Sequence, residues 1–199
     1  LGVLVFGIAV SGINIFTSQL DTLQATIQDK FAKENLTADV HWTGWEFLPA
    51  AFFAVIGIIG FYLLAKRRYH QFLVAFMIAT PVYLNGLDGL IVPKVAEYTQ
   101  GGAIHFFQSK ANEDAYLTVE SYKSYAHYFY GQIKPFPHPE IPKEKRQDWL
   151  FNGEIDKPVY FSIRIDRIGP EFKGWFPEFY EVGRESGFVF FRRDPKPKP

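Results

Sequence analysis

Hydrophobic and polar positions divide the chain near residue 93. Residues 47–65 read FLPAAFFAVIGIIGFYLLA, nineteen apolar positions without a charge, close to the ~20 that cross a bilayer. Residues 71–93 form a second apolar run whose one charge is Asp88, with Pro81, Gly86 and Gly89 inside it. Gly and Pro are tolerated in membrane helices where neighbours satisfy the freed backbone groups. Leu1–Phe16 is also uncharged, but at ~1.5 Å per residue it spans only ~24 Å of a ~30 Å hydrocarbon core. It reads as the tail of a third span, and the chain as the C-terminal part of a longer protein. The segment 17–46 then forms a loop, with Leu20, Leu23, Ile27 and Phe31 at helical spacing opposite Gln24, Gln28, Asp29, Lys30 and Lys33. This pattern predicts an amphipathic helix lying on an interface or against neighbouring spans.

Charge gives these spans a direction. Lys66, Arg67 and Arg68 fill the short turn between the two complete runs, and cations in a short loop mark the cytoplasmic side. Residues 17–46 and everything after Pro93 are then expected on the outer face. Trp42 and Trp45 fall just before the first complete run, where an interfacial aromatic belt belongs. Asp88 is the one ionisable residue in a predicted complete span, which makes it the candidate substrate-binding residue.

Residues 94–199 are of another kind, with 16 Lys+Arg and 15 Asp+Glu. Their pattern predicts a helix over 94–109, a strand over 115–119 and a helix from a Ser121 cap through Gly131. A loop with four prolines (residues 134–142) precedes a short helix over 143–152 and the clearest strand, Pro158–Arg164. An aromatic segment over 172–179 leads into a hairpin of 180–182 and 188–192 around Gly183–Gly187. The expected organisation is a transmembrane region over 1–93, an extracytoplasmic α/β domain with a mixed sheet over 94–193, and a disordered tail over 194–199.

Composition narrows the chemistry. The 21 cations balance 21 anions, so nothing marks a nucleic-acid partner. There is no cysteine, which excludes disulfides, thiolate metal sites and a cysteine nucleophile. No nucleophile elbow, phosphate-binding loop, dinucleotide fingerprint or metal-spaced His pair occurs. His41, His70, His105, His127 and His138 are scattered and read as surface or packing residues. Asp114, Glu120, Asp156 and Asp166 flank the predicted strands as solvated strand ends. Lys123, Lys134, Arg164, Arg167 and Lys173 could hold a phosphate or anionic sugar, and exposed Tyr and Trp would suit sugar stacking. Asn35-Leu36-Thr37 is a formal glycosylation sequon.

Three segments carry a resemblance: YLTVESYKSYAHYFYGQIKP, DWLFNGEIDKPVYFSIR and FYEVGRESGFVFFRRDP. They resemble the C-terminal domain of bacterial family-39-type membrane glycosyltransferases, the group that includes dolichyl-phosphate-mannose–protein mannosyltransferase-like proteins and the lipid A aminoarabinose transferase. The layout of last spans, basic turn and outer α/β domain is similar too. The resemblance implies the end of a GT-C-type polytopic region in the bacterial inner membrane. It implies a polyprenyl-phosphate-linked sugar donor in the lipid bilayer and a lipid or protein acceptor. The family's acidic catalytic residue lies in a first outer loop near the N terminus, in some members with a divalent metal. No residue of this chain inherits that role, and no cofactor is expected on it. The alternative expectation is a non-enzymatic, membrane-anchored binding or assembly module of the cell envelope.

Overall fold

The computed structural model describes residues 20–196, and these form two compact units. The expected span over Leu1–Phe16 and the last residues of the tail lie outside the described residues. One unit is helical and takes residues 20–26 and 39–97; the other is α/β and takes 27–38 and 98–196.

The helical unit is a hairpin of α3 (Leu48–Ala65) and α4 (Tyr69–Leu90), preceded by α1 (Leu20–Thr26) and followed by α5 (Val92–Ala96). Both hairpin helices are long and apolar enough to cross a membrane. They meet along a line of small residues: Gly60 lies against the Phe72 ring and Gly86 against Pro49, and Ala79 is buried. Close approach over small residues is how apolar helices associate when hydrophobicity cannot drive them together. Phe53 adds rings, packing 6.0 Å from Phe76 and 4.6 Å from Tyr83. The outward faces remain bare, with Phe61 77% and Met77 74% exposed. Arg67 turns the chain in a left-handed conformation (φ 56°), and Pro81 sits inside α4 with its carbonyl accepting from the Asn85 amide.

The α/β unit is built on a four-stranded sheet, β1 (Tyr116–Glu120), β2 (Val159–Arg164), β3 (Tyr180–Glu185) and β4 (Phe188–Arg193), in the order β1-β2-β4-β3. β1 and β2 run parallel; β4 is antiparallel to both of its neighbours. The sheet is therefore mixed, as expected. Strand side chains alternate between faces, and here both faces are covered. Val159, Phe161 and Ile163 of β2, with Val189 and Phe191 of β4, pack with α8 (Arg146–Asn152) and α9 (Phe172–Trp175). Tyr160, Phe188 and Phe190 pack the opposite way, against α6 (Gly102–Lys110) and α7 (Ala126–Tyr130). A strand buried on both sides is continuously hydrophobic, which is why PVYFSIR stands out in the sequence.

The structure departs from the pattern in several places. The single amphipathic helix expected within 17–46 is two helices, α1 and α2 (Lys30–Asn35), because the Asp29 side chain accepts from the Ala32 N–H at 2.8 Å and starts a new helix. α2 packs into the α/β unit, with Phe31 edge-on to Phe188 at 5.2 Å and under the Arg164 guanidinium at 4.0 Å. The helix expected from Ser121 begins only at Ala126, because Ser121 is left-handed (φ 62°) and cannot cap it. The hairpin loop is tighter than Gly183–Gly187: β3 continues to Glu185, and Ser186 (φ 43°) with Gly187 (φ 77°) makes a two-residue turn.

The helix expected over 94–109 forms with a π turn, Glu97–Gly101, ahead of α6. Gly102 explains why glycine stands there. A Cβ on it would lie 2.5 Å from the Glu185 carbonyl oxygen of β3. Gly→Ala within a helix ordinarily stabilises by ~1 kcal/mol. Gly102→Ala should instead destabilise by about 2 kcal/mol, since two backbones must part. Urea denaturation of the α/β unit's near-ultraviolet signal, in the detergent-solubilised chain, reads the sign directly.

Candidate functional site

A buried polar site of the helical unit lies at the ends of its hairpin opposite the cationic turn. Thr43 and Glu46 have the Thr-x-x-Glu spacing of a capping box just ahead of α3. The Glu46 carboxylate accepts from the Thr43 N–H (2.9 Å), the Thr43 hydroxyl (2.9 Å) and the Gly44 N–H (2.8 Å). Lys94 of α5 completes the set with an ion pair to Glu46, and its ammonium lies 5.3 Å from the centre of the Trp42 ring. Glu46 is 1% exposed. Burial alone would raise its pKa, but the Lys94 ammonium and the Thr43 and Gly44 donors outweigh that and bring it to about 2. The carboxylate is thus ionised at neutral pH and has its lone pairs occupied, so it holds structure rather than moving protons. Asp88 is not part of this arrangement. It is exposed on α4, and among the described residues no hydrogen bond or ion pair reaches it.

In the α/β unit the carboxylates that flank the strands are tied to neighbours rather than solvated alone. Asp114 pairs with Lys157 at 2.7 Å, Glu120 accepts from Gln147 at 2.7 Å, and Asp166 accepts both guanidinium bonds of Arg164 at 3.0 and 2.8 Å. Asp156 accepts from the Tyr116 hydroxyl (2.8 Å) and lies 3.4 Å from His138, whose other ring nitrogen faces Glu140 at 3.1 Å. The two acids sit on opposite nitrogens of that ring and cannot share an ion. Among the described residues no group of three His, Asp or Glu side chains converges to hold a metal. Of the five basic residues offered for phosphate, Arg164 is committed to Asp166 and Phe31, and Arg167 lies 3.8 Å from Asp166. Lys123, Lys134 and Lys173 remain exposed. The sequon is closed: Asn35 is buried beside Gly187, and its Oδ1 has no hydrogen-bond partner.

Three polar groups inside the α/β unit escape a reading of pattern alone. Ser162, fully buried in mid-strand, shares a short hydrogen bond with the Tyr122 hydroxyl, and burial pushes that phenol up to about 12. Arg193 is buried and donates to Glu178 (2.7 Å) and to the Leu150 and Gly153 carbonyls at the end of α8 (3.1 and 2.7 Å). His127 is buried beside Phe107 and Tyr128, with Nδ1 lacking a hydrogen-bond partner. A serine within an apolar strand and an arginine closing one are signals of this kind; His127 gives none.

Burial pushes the His127 pKa down to about 4, from 6.5. Between those values the unfolded chain binds the proton and the folded chain does not, so stability rises with pH across that window. The contribution, up to about 3 kcal/mol at ~1.36 kcal/mol per unit, is complete above pH 6.5 and lost as pH falls toward 4. His127→Leu should flatten unfolding midpoints between pH 4 and 6.5 while leaving the wild-type slope outside that window.

On the outer side of α7 the polarity reverses. Tyr125, Tyr128 and Phe129 are 83%, 60% and 77% exposed, whereas Ala126 and His127 of the same turn are buried. The molecule is thus a pair of long apolar helices and a small α/β unit with a mixed sheet. Compared with family models, curated proteins and solved structures, the chain matches none.

Proposed function

We propose that the chain is the C-terminal portion of an integral-membrane glycosyltransferase that moves a sugar from a polyprenyl-phosphate donor to a lipid or protein acceptor on the outer face of the bacterial inner membrane. One observation carries the reading. The three segments that resemble family-39-type enzymes supply β1 with α7, α8 with β2, and the β3–β4 hairpin, so they account for all four strands of the sheet. The bare apolar surface of the hairpin supports residence in a bilayer. The turn of Lys66, Arg67 and Arg68 supports a cytoplasmic end, and Trp42 with the Glu46–Lys94 pair an outer end. A polyprenyl donor keeps its phosphate at the membrane surface, where an outer α/β unit can cover it. The displacement breaks the anomeric carbon–phosphate oxygen bond and releases polyprenyl phosphate. Its catalytic groups belong to segments other than the one described, and a metal, if used, to those segments too.

A second reading is a non-enzymatic, membrane-anchored module of the envelope. It is favoured by the saturation of the α/β unit's strand-flanking carboxylates with cation, amide or tyrosine partners. The two are separated by capturing the natural protein from its membranes through its C-terminal tail, measuring its mass and supplying polyprenyl-phosphate-linked sugar. A species far larger than 22.9 kDa that releases polyprenyl phosphate supports the transferase. A species of that mass without release supports the module.

A further inference from the structure

We propose that the outer face of α7, formed by Tyr125, Tyr128 and Phe129, docks on the headgroup layer of an anionic lipid bilayer. This rests on the reading above that α3 and α4 lie in that bilayer. Three observations carry it. First, α7 is amphipathic in an unusual sense for a short surface helix: Ala126 and His127 fill the unit's interior while two tyrosines and a phenylalanine project into solvent. The Tyr125 and Tyr128 rings lie 6.4 Å apart, and Phe129, next in the chain to Tyr128, is edge-on to Tyr130 at 5.0 Å. Amphipathic rings of this type concentrate where apolar and aqueous phases meet.

Second, the surrounding charge suits an anionic surface. From Ser121 to Pro139 the chain carries Lys123 and Lys134 and no acidic residue, although the remainder of the unit is balanced. Both lysines are exposed, and juxtamembrane lysines are drawn to anionic headgroups.

Third, the connections between the units are short. Seven residues, 91–97, separate α4 from the α/β unit on one side, and nine, 39–47, separate it from α3 on the other. Even fully extended these reach only about 25 and 30 Å, and α5 makes the first shorter still. Connections of that length put a bilayer holding α3 and α4 within reach of the unit. The α7 face has the side chains suited to it.

The chain lacks cysteine, so single spin labels can be placed without other changes. The full chain is assembled in nanodiscs of phosphatidylethanolamine with phosphatidylglycerol. Labels at Phe129→Cys, Glu171→Cys and Phe61→Cys are compared by collision with oxygen, which favours lipid, and with a water-soluble nickel chelate. The expected result is a lipid-like ratio at Phe61, a lipid-like or interfacial ratio at Phe129 and a water-like ratio at Glu171, exposed on the other side of the sheet. Lys123→Glu with Lys134→Glu should then shift Phe129 to the water-like ratio in these discs. A water-like ratio at Phe129 with a lipid-like Phe61 overturns the docking and leaves the membrane hairpin standing. A label at Phe129 shielded from both reagents overturns it in favour of a protein partner. A water-like Phe61 overturns the membrane reading and the docking with it.

Discussion

Phe161→Ala is expected to destabilise the α/β unit by about 4 kcal/mol, the upper range for removing a buried ring. Phe161 is fully buried at the middle of β2. Its ring lies 5.3 Å from Phe151, 4.8 Å from Phe179, 5.5 Å from Phe176 and 5.2 Å, stacked, from Phe191. Aromatic pairs of this kind contribute ~0.5–1.5 kcal/mol each beyond burial. The cavity cannot close cheaply, because the β2 backbone is held between Thr118 of β1 and Phe191 of β4. Urea midpoints in detergent should fall sharply for Phe161→Ala. Val182→Ala, on the exposed edge strand β3, should change them by less than ~0.5 kcal/mol. Similar costs at the two positions would show that the ring cluster is loosely packed.

Glu46→Ala should weaken the helical unit by about 3 kcal/mol, because it leaves the Lys94 ammonium and the Thr43 and Gly44 N–H groups without their acceptor. Glu46→Ala with Lys94→Met should cost less than Glu46→Ala alone, since no uncompensated charge is then left behind. The acid dependence follows from the pKa of about 2 against 4.5 for an ordinary glutamate. Between those values the unfolded chain holds a proton that the folded chain does not, so stability rises with pH there. The pair's contribution is complete above pH 4.5 and disappears as pH falls toward 2. His127 acts in the adjoining window above pH 4 and in the other unit, so Glu46→Ala should reduce the acid dependence of the helical unit and His127→Leu that of the α/β unit. An acid dependence of the helical unit unaffected by Glu46→Ala would contradict the assignment.

The two long helices are legible because each apolar run exceeds what a small soluble core can bury. Strands β2 and β4 are legible because they are buried on both faces and therefore read as mainly hydrophobic runs. What pattern misses is set by contacts between distant residues. The left-handed Ser121 shortens a helix whose apolar spacing extends further. Gly102 reads as a weakness until Glu185 is seen against it. Leu20, Leu23, Ile27 and Phe31 share one helical period, yet Asp29 breaks the helix, and Phe31 is drawn to Phe188. Of the candidate site, Asp88 is read from its rarity in an apolar run, but no hydrogen bond or ion pair joins it to Glu46 or Lys94. Glu46 and Lys94 are read past, although Thr43-x-x-Glu46 has a recognisable spacing, because their pairing joins positions almost fifty residues apart.

The separation of α2 from the strands it packs on also fixes an order of events during synthesis. Phe31 emerges from the ribosome roughly 160 residues before Phe188, about 10–30 s at ordinary elongation rates. The whole apolar hairpin is made in that interval, so it must be received by its own environment before the sheet exists to shelter anything. Until then α2, too short to be stable alone, waits as an unstructured peptide. Its docking closes a loop that contains both apolar helices, so α2 should be the last element to settle and the first to come loose.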